Sequence, residues 1–172
     1  MQELVNIFSK PLFVLIAGIT TVVTLLGMLY TVYLTVIGIF PIWYRLGLAL
    51  SRRKIAIFAD DQYNHLRDLL VDSKIFRSKN ILRIDKMSIK KAESISILLV
   101  HWKSYSGEFD RILKVKKDSD ALIIYAPQDE GRLSKETLSK INLERNSLIV
   151  NFRGRLLNDI LTCMITTPYE KK

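Results

Sequence analysis

Residues 95–125 read ISILLVHWKSYSGEFDRILKVKKDSDALIIY. The two ends, Ile95–Val100 and Ala121–Tyr125, are short apolar runs rich in β-branched residues, with an amphipathic stretch, Glu108–Lys116, between them. Strands of a parallel sheet are buried on both faces, and two parallel strands need a crossover of a dozen residues or more, usually a helix. The stretch therefore reads as strand, helix, strand. The alternation continues outward, with strands at Lys54–Ala59, Asn80–Ile84 and Leu148–Phe152 and helices at Gln62–Val71, Lys135–Asn142 and Arg155–Ile165. A weaker helical stretch covers Ser88–Ala92. In the last helix Leu156, Leu157, Ile160, Leu161 and Met164 share one face, which predicts packing on the sheet. Residues 51–172 are expected to form an open, doubly wound, Rossmann-like α/β domain of about five parallel strands.

Upstream the composition changes. The 34 residues from Pro11 to Tyr44 contain no Asp, Glu, Lys, Arg, His, Asn or Gln. That run exceeds the roughly 7–15 residues of a signal-peptide core. A bilayer core about 30 Å thick needs about 20 apolar helical residues, so the run fits one span plus an interfacial piece. The expected span is Leu12 to Tyr33, running on or bending near Pro41, with Trp43 and Tyr44 at headgroup depth. Residues 1–50 then form a membrane helix with its juxtamembrane segment. Arg45, Arg52, Arg53 and Lys54 follow it, against Lys10 before it, so the positive-inside bias predicts an inner-membrane, single-pass protein with its amino terminus outside and its α/β domain in the cytoplasm. Residues 45–172 hold 25 basic and 16 acidic groups and so carry the whole net charge of +9. A single cysteine, Cys163, allows no intrachain disulfide.

Along the span Thr20, Thr24, Gly27, Thr31, Thr35 and Gly38 recur at helical spacing and mark one face. Small and hydroxylated faces let helices approach closely in lipid, so this face reads as a packing surface of a homo-oligomer or the lining of a pore. The alternative is that each hydroxyl bonds back to its own helix.

In doubly wound sheets ligands bind beyond the carboxyl ends of the strands. The loops there carry Asp60-Asp61-Gln62, His101 to Ser106, Ala126 to Ser134, and Arg153-Gly154-Arg155. Arg153 and Arg155, where a strand feeds a helix, with Lys103 and Arg132 on neighbouring loops, are candidates for holding phosphates, and Trp102 for stacking on a base. The Asp129–Ser134 loop is the candidate moving part. Asp60-Asp61 resembles the acidic pair of receiver domains, yet strand three ends in Val100-His101-Trp102 rather than Asp and strand five ends without Lys, which argues against phosphotransfer. Either Asp suits the cap of the first helix. No G-x-G-x-x-G or P-loop is present. His65, His101 and Cys163 lack ligand spacing, so no metal is expected, nor any cofactor. Asp129 and Glu130 sit in a run that reads as a turn, and no catalytic residue is assigned.

A membrane helix with a Thr/Gly face followed by one basic Rossmann-like domain resembles, in layout over the full length, the membrane effectors of prokaryotic antiviral defence. In particular it is similar in layout to CRISPR-associated membrane proteins with a CARF-type domain. The resemblance implies a non-enzymatic homo-oligomer that senses a nucleotide or short oligonucleotide, not duplex DNA, and permeabilises the inner membrane. A tethered adaptor whose α/β domain docks a protein partner is the other reading the residues leave open.

Overall fold

The computed structural model describes residues 11–130 and 132–167. Its first element is one helix, α1 (Pro11–Arg52), which runs through Pro41. The missing amide of Pro41 leaves the carbonyl of Ile37 without its helical donor. Phe13–Tyr44 has a mean hydropathy of 2.2 and none of it is buried, so this helix is long and apolar enough to cross a membrane. The hydroxyls of Thr20, Thr24, Thr31 and Thr35 donate to the carbonyls of Ile16, Thr20, Gly27 and Thr31 within the helix. Nothing lies within 4 Å of where a Cβ would stand on Gly27 or Gly38. The expected stripe is thus a face with satisfied hydroxyls and open glycine notches.

The chain divides into two units between Trp43 and Tyr44. The last turns of α1 belong with the sheet: Leu50 packs against its core, and the carbonyl of Ser51 accepts a 3.3 Å hydrogen bond from the side-chain amide of Asn80.

The second unit is the expected Rossmann-like α/β domain. Its elements are β1 (Ile55–Phe58), α2 (Tyr63–Asp72), β2 (Ile81–Arg83), a 3-10 stretch (Lys86–Ser94), β3 (Ile97–His101), a short α3 (Trp102–Tyr105), α4 (Phe109–Val115), β4 (Ala121–Tyr125), α5 (Lys135–Leu143), β5 (Ser147–Val150) and α6 (Arg153–Thr166). All five strands are parallel, in the order β2-β1-β3-β4-β5. Alternate residues of each strand point to opposite faces. Ile55, Ile57, Ile97, Leu99 and Ile123 therefore pack with Leu66 and Leu70 of α2 and with Leu156, Ile160 and Met164 of α6. On the other face Phe58, Leu98, Val100, Leu122 and Ile124 meet Ile89 of the 3-10 stretch, Ile112 of α4 and Ile141 of α5. Every residue of β1, β3 and β4 is buried, whereas the edge strand β5 is half-exposed over its first three residues.

Strand boundaries follow burial. β3 runs to His101, one residue past the expected end, and β5 stops at Val150 rather than Phe152. As a result α6 begins at Arg153, so the Arg-Gly-Arg run lies in its first turn. The weak helix expected at Ser88–Ala92 is 3-10, with a non-helical Ser88 inside it. Neither Asp60 nor Asp61 caps α2, because Gln62 holds the cap position and the Asp60 carbonyl closes a turn to the amide of Tyr63.

The amino end of the sheet is closed by internal polar contacts. Buried Arg53, just after α1, donates to the hydroxyl of Thr167 at 2.6 Å and to its carbonyl, gripping the end of α6. Lys116, whose side chain is fully buried, meets Glu144 at 3.3 Å before β5. The amide of Lys117 donates to the carboxylate of buried Asp120 at 3.0 Å.

Candidate functional site

β1 and β3 are neighbours, but the crossover from β1 leads outward to β2 and that from β3 outward to β4, so strand order reverses between them. At that reversal the loops after two adjacent strands turn away from each other and leave a crevice. A cleft of about 310 Å³ lies there, lined by residues that include Asp60, Gln62, Lys86, His101, Lys103 and Ser104. Asp61 and Glu130 complete its wall.

Four strand ends supply the chemistry. From β3, His101 brings a side chain only 3 % exposed to the floor, and its Nε2 lies 2.6 Å from Oε2 of Glu130, itself 17 % exposed. Glu130 reaches this position because the loop after β4 turns, the Glu130 amide bonding to the Pro127 carbonyl. Its other oxygen accepts a 3.4 Å hydrogen bond from Gln62. On the far side of the ring, Nδ1 of His101 is 2.7 Å from Oγ of Ser104. The imidazole is also stacked at a tilt on Tyr125, with centroids 6.0 Å apart. Across the cleft Lys86 sits 3.0 Å from the Asp60 carboxylate and 5.4 Å from the centroid of the Tyr105 ring. Tyr105 is buried and donates to the carbonyl of Ile84, and burial, followed by the charges of Asp60 and Asp85, raises its hydroxyl to about 12.

The residues expected to hold phosphates are dispersed along the carboxyl end of the sheet. Lys103 lines the cleft with Lys86. Arg132 instead lines a second groove, of about 610 Å³, with Gln128, Leu133, Leu138, Ile149 and Asn151. Arg153 and Arg155 are exposed in the first turn of α6, where Arg155 lies 3.9 Å from Asp159. The positive charge of Arg153 opposes the upward shift that burial imposes on Tyr125. Trp102 is half-buried with its ring edge-on to Phe109 at 5.4 Å. Within the expected moving loop Gly131 lies outside the described residues.

Cys163 is buried on α6 in the core, and burial, with the charge of Asp159 second, pushes its thiol up to about 11. Such a thiol is inert at neutral pH. Among the described residues no group of three or more His, Cys, Asp or Glu side chains is arranged to hold a metal ion. The residues that sequence reading passed over are the His101–Glu130 pair, Ser104 and Lys86. No protein-family model, curated protein or solved structure matches the chain.

Proposed function

We propose that the protein is a membrane-anchored sensor and effector: its α/β domain binds a nucleotide or short oligonucleotide, and its membrane helices, assembled as a homo-oligomer, gate or permeabilise the inner membrane in response. The observation that carries this reading is the polar cleft at the β1/β3 reversal, with Lys86 and Lys103 beside hydroxyl and carboxylate groups. Lysines neutralise phosphate oxygens, while Asp61 and Glu130 accept from sugar hydroxyls or base amines. One ligand class satisfies both sets. From Lys103 after β3 to Arg153 and Arg155 after β5 is two strand spacings, about 10 Å, so a ligand with more than one phosphate matches the row of cations. The apolar helix supplies the anchor, with its amino terminus outside by the charge bias, and the open notches at Gly27 and Gly38 supply a face for a second copy. Ligand shifts such an assembly only by binding one arrangement more tightly than the other. The layout shared with antiviral membrane effectors supplies the physiological setting.

The test is to denature full-length protein purified in mild detergent and to identify released phosphate-bearing compounds by mass spectrometry. The wild type is expected to release one, and the Lys86→Ala/Lys103→Ala and Arg153→Ala/Arg155→Ala forms to release at least tenfold less. A wild type that releases none, and takes up none from a panel of mono-, di- and cyclic oligonucleotides, overturns the reading.

One observation favours an anchored adaptor instead. The groove beside the edge strand β5 is lined by Leu133, Leu138 and Ile149, with Phe152 57 % and Leu143 86 % exposed nearby in sequence. Under that reading, exchanging α1 for an unrelated apolar span leaves activity intact. The effector reading requires its loss.

A further inference from the structure

The contacts at the floor of the cleft define a direction of proton movement. With Glu130 as acceptor, the 2.6 Å contact has its hydrogen on Nε2 of His101. In the tautomer that carries only that hydrogen, the lone pair on Nδ1 faces Ser104, whose hydroxyl donates to it across the 2.7 Å contact. Base, orienting carboxylate and hydroxyl thus form a chain, Ser104 to His101 to Glu130. Ser104 also lines the cleft. Burying a His–carboxylate pair costs desolvation, and an apolar pair of similar volume is often as stable. Its position at the strand-order reversal, where this class of sheet binds ligands, gives the pair a use that packing does not.

We infer that Ser104 is a nucleophile activated by His101, with Glu130 as the positioning residue, and that the cleft carries out acyl transfer on small esters bearing an anionic group. This rests on the cleft being a ligand site and goes beyond the sensing role. Oγ of Ser104 attacks the ester carbonyl carbon while its proton passes to Nδ1 of His101. The bond to the alcohol oxygen then breaks and the alcohol leaves with that proton. Water, giving a proton to the same nitrogen, attacks the acyl-serine carbon; the bond to Oγ breaks, Oγ takes that proton back from Nδ1, and the acid leaves with Ser104 restored. Glu130 holds the ring and stabilises the imidazolium that forms in each step. Lys103, next in sequence to the nucleophile and in the same cleft, neutralises the anionic group.

An alkyl fluorophosphonate applied to the full-length protein in detergent tests the nucleophile without any nucleotide. Oγ of Ser104 bonds to phosphorus, the P–F bond breaks, fluoride leaves and the proton goes to His101. The expected result is one phosphonyl adduct on the peptide containing Ser104, absent from Ser104→Ala. Glu130→Gln is expected to slow labelling about tenfold or more, the loss of a charge that acts through a general base, and Glu130→Asp to recover part of the rate. Thermal melts matching the wild type show that these forms are folded, and Ser104→Cys provides a second reading through alkylation by iodoacetamide, slowed likewise by Glu130→Gln. An unlabelled wild type, an adduct on another residue, or Glu130→Gln labelling at the wild-type rate overturns the inference. Because labelling needs no nucleotide, failure here leaves the release of phosphate-bearing compounds as a separate result.

Discussion

The two ends of the sheet bury the same kinds of side chain and use them differently. At the amino end Arg53, Lys116 and Asp120 are buried and bonded to groups that lie beside them: the end of α6, Glu144 and the amide of Lys117. At the carboxyl end the buried His101 and the nearly buried Glu130 bond to each other but line a cleft open to solvent. The first set closes loops. The second keeps oriented polar groups facing a space that a ligand can fill. Burial of charge alone therefore does not mark a site. What separates the ends is whether the bonded groups also border a cavity.

The yardstick for breaking this contrast is the middle of the sheet, on which both ends depend. Leu99→Ala, at a fully buried position, is expected to cost about 2–5 kcal/mol in urea unfolding of the full-length protein in detergent. Next comes the amino end: Arg53→Ala strands the carbonyl of Thr167, whose hydroxyl keeps its bond to the Cys163 carbonyl, and is expected to cost about 1–3 kcal/mol, without touching the cleft. A loss of ligand with unchanged stability would place Arg53 on the wrong side of the comparison. The carboxyl end should respond in the opposite way. Replacing the pair by His101→Leu with Glu130→Leu is expected to leave unfolding within about 1 kcal/mol of wild type, or to stabilise, while abolishing fluorophosphonate labelling. A large loss of stability would make the pair structural. The smallest effect is in pH dependence. Cys163 is held at about 11 in the fold against 9.0 for an ordinary thiol, so its contribution is complete below about pH 9 and is lost as pH rises toward 11, where the unfolded chain sheds the proton and the folded one keeps it. Cys163→Ala should flatten that decline in melting temperature between pH 9 and 11; an unchanged slope would assign it elsewhere, Tyr105 and Tyr125 being buried groups whose hydroxyls are also pushed up.

What could be read from the chain depended on how local the cause was. β3 and β4 are central and buried on both faces, so their apolar runs show in the sequence, β4 to the residue and β3 to within two residues. β5 is an edge strand, half-exposed, and its run blurs into Asn151 and Phe152, which is why the start of α6 was displaced past Arg153 and Gly154. Lys103 was legible as a cleft residue because position after a central strand decides it. The His101–Glu130 pair was not, since its members are 29 residues apart and Glu130 sits in a run that is indeed a turn. A signal was present: a histidine ending a run of Ile, Leu and Val at Ile97–His101 must find a polar partner when buried, and the loop after the adjacent strand held the acids. For α1 the sequence decided length and spacing, while the hydroxyls proved to be bonded within the helix.

α6 begins beside the carboxyl end of the sheet and ends at the grip of Arg53, one residue beyond α1. Its 14 residues make a strut about 21 Å long, stiff along its axis. A displacement at Arg153 is therefore carried along α6 to Thr167 and the Arg53 grip at the opposite end of the sheet. Such a strut transmits rotation as well as translation, and a helix turns about 100° per residue. One amino acid more or fewer in α6 is expected to turn Thr167 by about 100° relative to Arg53 and to loosen the link between the two ends of the domain.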